Sequence, residues 1–99
     1  MNHKVIRYRA SPERIQENQG LIEGVFFELH AKAPEGIRYL SLNLGNGAFM
    51  HVVETAGGAS PLPDFEAFQL FQRGLKERCV ELPQVSEAVI VGNYRAFGE

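Results

Sequence analysis

The sequence predicts an α+β fold of the ferredoxin-like βαββαβ type, a four-stranded antiparallel sheet with both helices on one face. Three observations carry this. Two stretches space their apolar residues at helical steps, each behind a proline with an acidic neighbour. Gly45-Asn46-Gly47 joins two strand-like runs as a hairpin would. Further strand-like runs stand before the first helix and after the second.

Lys4 to Arg9 alternates Val5, Arg7 and Arg9 with Ile6 and Tyr8, the period of a strand. Ser11-Pro12-Glu13 opens the first helix: Ser11 as cap, Pro12 with a φ suited to the first position, Glu13 complementing the dipole. Ile15, Asn18, Ile22, Phe26, Leu29 and Ala33 draw its inner stripe, which Pro34 and Gly36 end. Gly20 and Gly24 lie inside this helix, at about 1 kcal/mol each relative to Ala, and imply close packing against a neighbour.

Ile37 to Leu44 and Ala48 to Glu54 are the hairpin strands. A three-residue loop puts Leu40, Leu42 and Leu44 on one face with Ala48, Met50 and Val52. The other face then carries Tyr39, Ser41 and Asn43 with Phe49, His51 and Val53. A two-residue turn would instead set His51 among the leucines. Thr55 to Pro61, with Gly57-Gly58, is a flexible connection. Pro63 and Asp64 open the second helix, whose stripe is Phe65, Phe68, Phe71 (or Gln72), Leu75 and Cys79, and which Pro83 ends at the latest. Glu87 to Phe97 is the last strand, with Ala88 to Val91 buried on both faces. Tyr39, Phe49 and Val53 are left on a sheet face without helices. A homodimer in which two sheets meet is therefore expected.

Residues 1–99 read as one domain of 11.1 kDa, which buries roughly 65% of its unfolded surface without help from disulfides or metals. Ten Lys+Arg against twelve Asp+Glu give a net charge of −2, so nothing draws the chain to nucleic acid or anionic membranes. Cys79, the single cysteine, excludes an intrachain disulfide. The longest aliphatic run, Ala88 to Val91, is far short of a membrane span, and the N-terminus lacks an apolar signal core. A cytoplasmic location is expected.

Motifs for other chemistries are missing. Asn46 to Val52 only faintly echoes the RNA recognition motif, having Asn46 at the basic position and lacking the first aromatic. Gly45-x-Gly47 precedes a strand rather than a helix, so it is not a phosphate loop. His3, His30 and His51 are too widely spaced for a metal site. No metal or organic cofactor is expected. Cys79 reads as a small buried hydrophobe, and Arg7, Tyr8 and Arg9 as charge pairing or an anion contact. Phe65, Phe68 and Phe71 are core residues that could also wall an apolar pocket. Asn18, on an apolar stripe, needs partners or costs roughly 1–3 kcal/mol. His51 is the natural proton acceptor, or else a structural histidine. The predicted faces put Asn18 and His51 on opposite sides of the sheet.

The element order, the apolar second sheet face and the lack of a cofactor motif resemble the dimeric α+β barrel superfamily. Within it, the chain is similar to small antibiotic-biosynthesis-monooxygenase-like proteins. The resemblance spans roughly Lys4 to Phe97. Its local echoes are Glu17-Asn18 with Val25-Phe26, Phe49-Met50-His51-Val52, and Val91-Gly92-Asn93-Tyr94-Arg95. It implies a homodimer with a pocket between helices and sheet, and two functions. One is binding of a small apolar or aromatic molecule without a cofactor. The other is a cofactor-independent oxygenase acting on an aromatic or quinol-like substrate. The candidate residues are His51 as catalytic base, with Asn18, Phe26, Phe68 and Phe71 for substrate. The chain has no tryptophan, so the Asn-Trp-His set of haem-degrading relatives does not carry over.

Overall fold

A computed structural model describes residues 2–57 and 60–96. Its four strands are β1 (Asn2–Ala10), β2 (Ile37–Gly45), β3 (Ala48–Thr55) and β4 (Cys79–Glu87), in the order β2-β3-β1-β4 with every pairing antiparallel. The helices are α1 (Ile15–Lys32), α2 (Glu66–Arg73) and the single turn α3 (Leu75–Arg78). This is the expected ferredoxin-like α+β arrangement. Of the sequence expectations, Gly58 and Phe97 fall outside the described residues.

Pro12 begins a 3-10 turn that runs into α1, but Ser11 accepts through its peptide oxygen, from the Arg14 N–H at 2.9 Å, and its side chain makes no cap bond. Asn18, Ile22 and Val25 are the buried residues of α1. A Cβ on Gly20 or Gly24 would meet open space, so these glycines do not serve close packing within the chain.

In the hairpin, Asn46 (φ 56°) and Gly47 (φ 82°) form a two-residue turn closed by the pair Gly45↔Ala48. A register shift between Asn43 and Gly45 then restores the pairs Leu42↔Met50 and Leu40↔Val52, the face sets expected from a longer loop. Gly47 is required by contact as well as by φ, since a Cβ there would stand 2.6 Å from the Ala10 carbonyl oxygen.

Which face meets the helices is the reverse of the expectation. Phe49 is 2% exposed and, with Tyr8, belongs to the core, and Tyr39 and Val53 pack against it. Leu40, Leu42 and Leu44 are the exposed ones. The aromatic face therefore takes the helices and the leucines face outward. Alongside the leucines, the cross-strand trio His3, Glu54 and Arg38 is held by a His3 Nε2–Glu54 Oε2 contact of 2.7 Å and an Arg38–Glu54 ion pair of 3.5 Å.

The expected last strand, Glu87 to Phe97, is corrected to Cys79–Glu87. Gly74 interrupts the second helix, α3 adds one turn, and Cys79 is already extended (φ −95°, ψ 138°). Cys79 is half-buried at the start of β4, where burial pushes its thiol upward. Pro83, read as a helix stop, sits inside β4. An edge strand tolerates it there, next to the β1–β4 register shift. The last β1–β4 pair is Lys4↔Glu87, and just beyond it the Ala88 N–H donates to the His3 carbonyl at 2.8 Å. Residues 88–91 lie outside the strand, and Val91 is 100% exposed instead of buried.

Candidate functional site

Tyr8 on β1, His51 on β3, Tyr39 on β2 and Asn18 on α1 all point into the layer between sheet and helices. There they form one hydrogen-bonded chain. Arg78, the last residue of α3, donates from Nε to Asn18 Oδ1 at 3.0 Å and from Nη2 to the Phe71 carbonyl at 2.8 Å. The Asn18 amide nitrogen donates to Tyr8 Oη at 2.9 Å. Tyr8 Oη lies 2.9 Å from His51 Nε2, and Tyr39 Oη lies 2.8 Å from His51 Nδ1. Asn18 and His51 are thus on the same side of the sheet, joined through Tyr8. The expectation that they lie on opposite sides is overturned with the face assignment.

Burial governs the electrostatics of this chain. Desolvation lowers His51 from 6.5 to about 4, so its imidazole is neutral at neutral pH. Desolvation also pushes Tyr8 up to about 12, partly offset by the bond from Asn18, and raises Tyr39 further. Burial likewise lowers Arg78, whose guanidinium stands over the Phe71 ring at 5.3 Å. Every link from Asn18 to Tyr39 is neutral, with one cation at the far end.

A cavity of about 390 Å³ opens between α1 and the edge strand β2, walled by Ile22, Phe26, Tyr39 and Phe49. A second of about 230 Å³ adjoins it past the Phe26–Tyr39 ring pair, whose centroids are 4.8 Å apart. Tyr39 is in the wall of both and also ends the buried chain. The larger volume falls within the range of small-molecule sites.

The candidate residues distribute unevenly around this site. Phe26 walls the cavity. Asn18 and His51 are buried behind it, and Phe71 is a core ring packed against both Tyr8 and His51. Phe68 lines a separate cavity of about 370 Å³ on the far side, with Ile6, Val53 and Leu62. Tyr8, Tyr39 and Arg78 were missed as site residues; Tyr8, read as charge pairing or an anion contact, is instead a buried link between Asn18 and His51. Arg78 was findable, since Phe71, Leu75 and Arg78 continue the helical stripe at steps of four and three. Arg9, read as a charge-pairing residue, meets Glu81 at 3.3 Å. Among the described residues no cluster of three or more His, Cys, Asp or Glu could hold a metal ion. None of their helices is long and apolar enough to cross a membrane.

No family model and no curated protein matches the sequence. Solved structures do match its fold. An antibiotic biosynthesis monooxygenase superposes with a TM-score of 0.72 at 17% identity, covering 93% of this chain and 100% of that one. A Mycobacterium tuberculosis protein gives 0.69 at 11% identity, covering 93% and 96%. A Pseudomonas aeruginosa protein also gives 0.69, at 14% identity, covering 92% and 94%. The chain therefore has the antibiotic-biosynthesis-monooxygenase-like α+β fold.

Proposed function

We propose that residues 1–99 act as one ligand-binding domain that takes a compact apolar or aromatic molecule into the cavity between α1 and β2. The observation that carries this is the cavity itself: three aromatic rings, Ile22 and Leu40 line an open cleft of about 390 Å³ alongside Gln19, Ser41 and Asn43, with a polar chain ending at its wall. No cofactor enters the reading. The oxygenase alternative needs a base that takes a substrate proton at neutral pH. Burial holds His51 at about 4, and Tyr39 lies between it and the cavity, which favours binding over turnover.

Two copies of the chain are proposed to associate through the outer sheet face. Leu40 and Leu42, exposed there beside Val52 and Met50, make an apolar patch that water does not favour.

The test is titration with naphthalene, followed by its own fluorescence. Saturable binding is expected in wild type. Ser41→Phe, which fills the cavity from its β2 wall, is expected to abolish it. Equal binding by the filled variant would refute this location.

A further inference from the structure

The buried hydrogen-bond chain has a direction, because its first member can only donate. Arg78 Nε carries a proton and no lone pair to share, so the Asn18 atom facing it is the oxygen. The Asn18 nitrogen is then left facing Tyr8, and it donates to Tyr8 Oη. Tyr8 must place its own proton on its other neighbour, His51 Nε2. No other acceptor for that proton stands among the described residues. A neutral imidazole accepting at Nε2 carries its hydrogen on Nδ1. That hydrogen goes to Tyr39 Oη at 2.8 Å. The Tyr39 proton is what remains, and no described residue accepts it. Running the chain the other way would strand the buried Tyr8 hydroxyl without an acceptor, an arrangement that folded proteins avoid.

We propose that Tyr39 is the specificity-determining residue of the α1–β2 cavity: its hydroxyl donates a hydrogen bond to the ligand, which presents a neutral acceptor oxygen such as that of a carbonyl. The assignment rests on the cavity reading above. Charge narrows the ligand further. Glu23 lies on the cavity rim and, among the described residues, no Lys, Arg or His lines it, so a carbonyl is welcome where a carboxylate is repelled. Asn18 and Arg78 touch no ligand in this scheme. They are positioning residues that set the direction of the chain.

Two measurements test this. The first reads the His51 tautomer by 15N NMR on wild-type protein near neutral pH, and therefore needs neither ligand nor variant. Hydrogen on Nδ1 and a bare Nε2 are expected, and hydrogen on Nε2 overturns the assignment. The second titrates naphthalene, 1-acetonaphthone and 1-naphthoate. The ketone is expected to bind about tenfold tighter than naphthalene, the worth of one hydrogen bond, with the carboxylate weaker than the ketone. Tyr39→Phe is expected to remove the ketone's advantage. Equal binding of ketone and naphthalene, a tighter carboxylate, or an advantage that survives in Tyr39→Phe overturns the role of Tyr39 and leaves the cavity standing. If none of the three binds, the cavity reading falls and the ligand class falls with it.

Discussion

Asn18 stands between a guanidinium and a phenol, and each of its amide atoms has one job. Replacing it with leucine leaves the Arg78 Nε–H and the Tyr8 oxygen without their partner in a site closed to water. Asn18→Leu should therefore destabilise the protein by about 1–3 kcal/mol, seen as a lower melting temperature. An unchanged or higher melting temperature would mean that the amide is dispensable to the fold. His51 supplies a pH dependence of definite sign. Above 6.5, folded and unfolded chains both carry it neutral, and its contribution to stability is full. Between 6.5 and about 4 the unfolded chain takes up a proton that the folded chain refuses, so stability falls as pH falls. The loss is complete below about 4 and amounts to about 3 kcal/mol. Urea unfolding across this window should show the slope in wild type and a flatter one in His51→Gln. A wild-type curve flat through the window would contradict the burial argument.

At the scale of elements, the helix glycines and the turn glycine behave oppositely. Gly24 is helical and open around its missing Cβ, so Gly24→Ala should stabilise by about 0.5–1 kcal/mol through helix propensity alone. Gly47→Ala should destabilise by more than that, because the new methyl meets the Ala10 carbonyl oxygen at 2.6 Å and φ is +82°. Chemical denaturation of the two variants beside wild type gives both signs in one experiment. Two variants moving in the same direction would show that propensity and contact have been misjudged here. The hairpin also explains why a slightly wrong turn still yielded correct strand faces. The Asn46-Gly47 turn alone would shift every pair by one, and the register shift before Gly45 cancels it.

At the scale of the whole molecule, the outer sheet face carries Leu40, Leu42 and Leu44 exposed among the described residues. If two copies close over it, light scattering should give a mass near twice 11.1 kDa. Leu42→Asp, on the exposed face, should then give the monomer mass without loss of the melting transition. A wild-type mass near 11.1 kDa would refute the association. Phe49→Asp would not serve, because Phe49 is in the core under the helices and its replacement would break the fold first.

Element order, most of the inner stripe of α1 and the sharing of faces within the hairpin were legible in the sequence, because periodicity and turn residues act over a few neighbouring positions. So was the isolation of Asn18 among apolar neighbours, which marked it as a residue in need of partners. Local pattern could not say which sheet face the helices cover, since both faces of the hairpin are apolar enough to be buried. The packing of the helices against Tyr8, Phe49 and Tyr39 decided it, a property of two layers together. The end of the second helix was misread for a related reason. Cys79 to Glu87 becomes a strand by pairing with β1, 69 to 83 residues earlier. The same holds for the site. Arg78, Asn18, Tyr8, His51 and Tyr39 come from five elements, and only packing brings them within 3.0 Å of one another in sequence along the chain. A buried polar group declares in the sequence that it needs a partner, and tertiary structure alone chooses which.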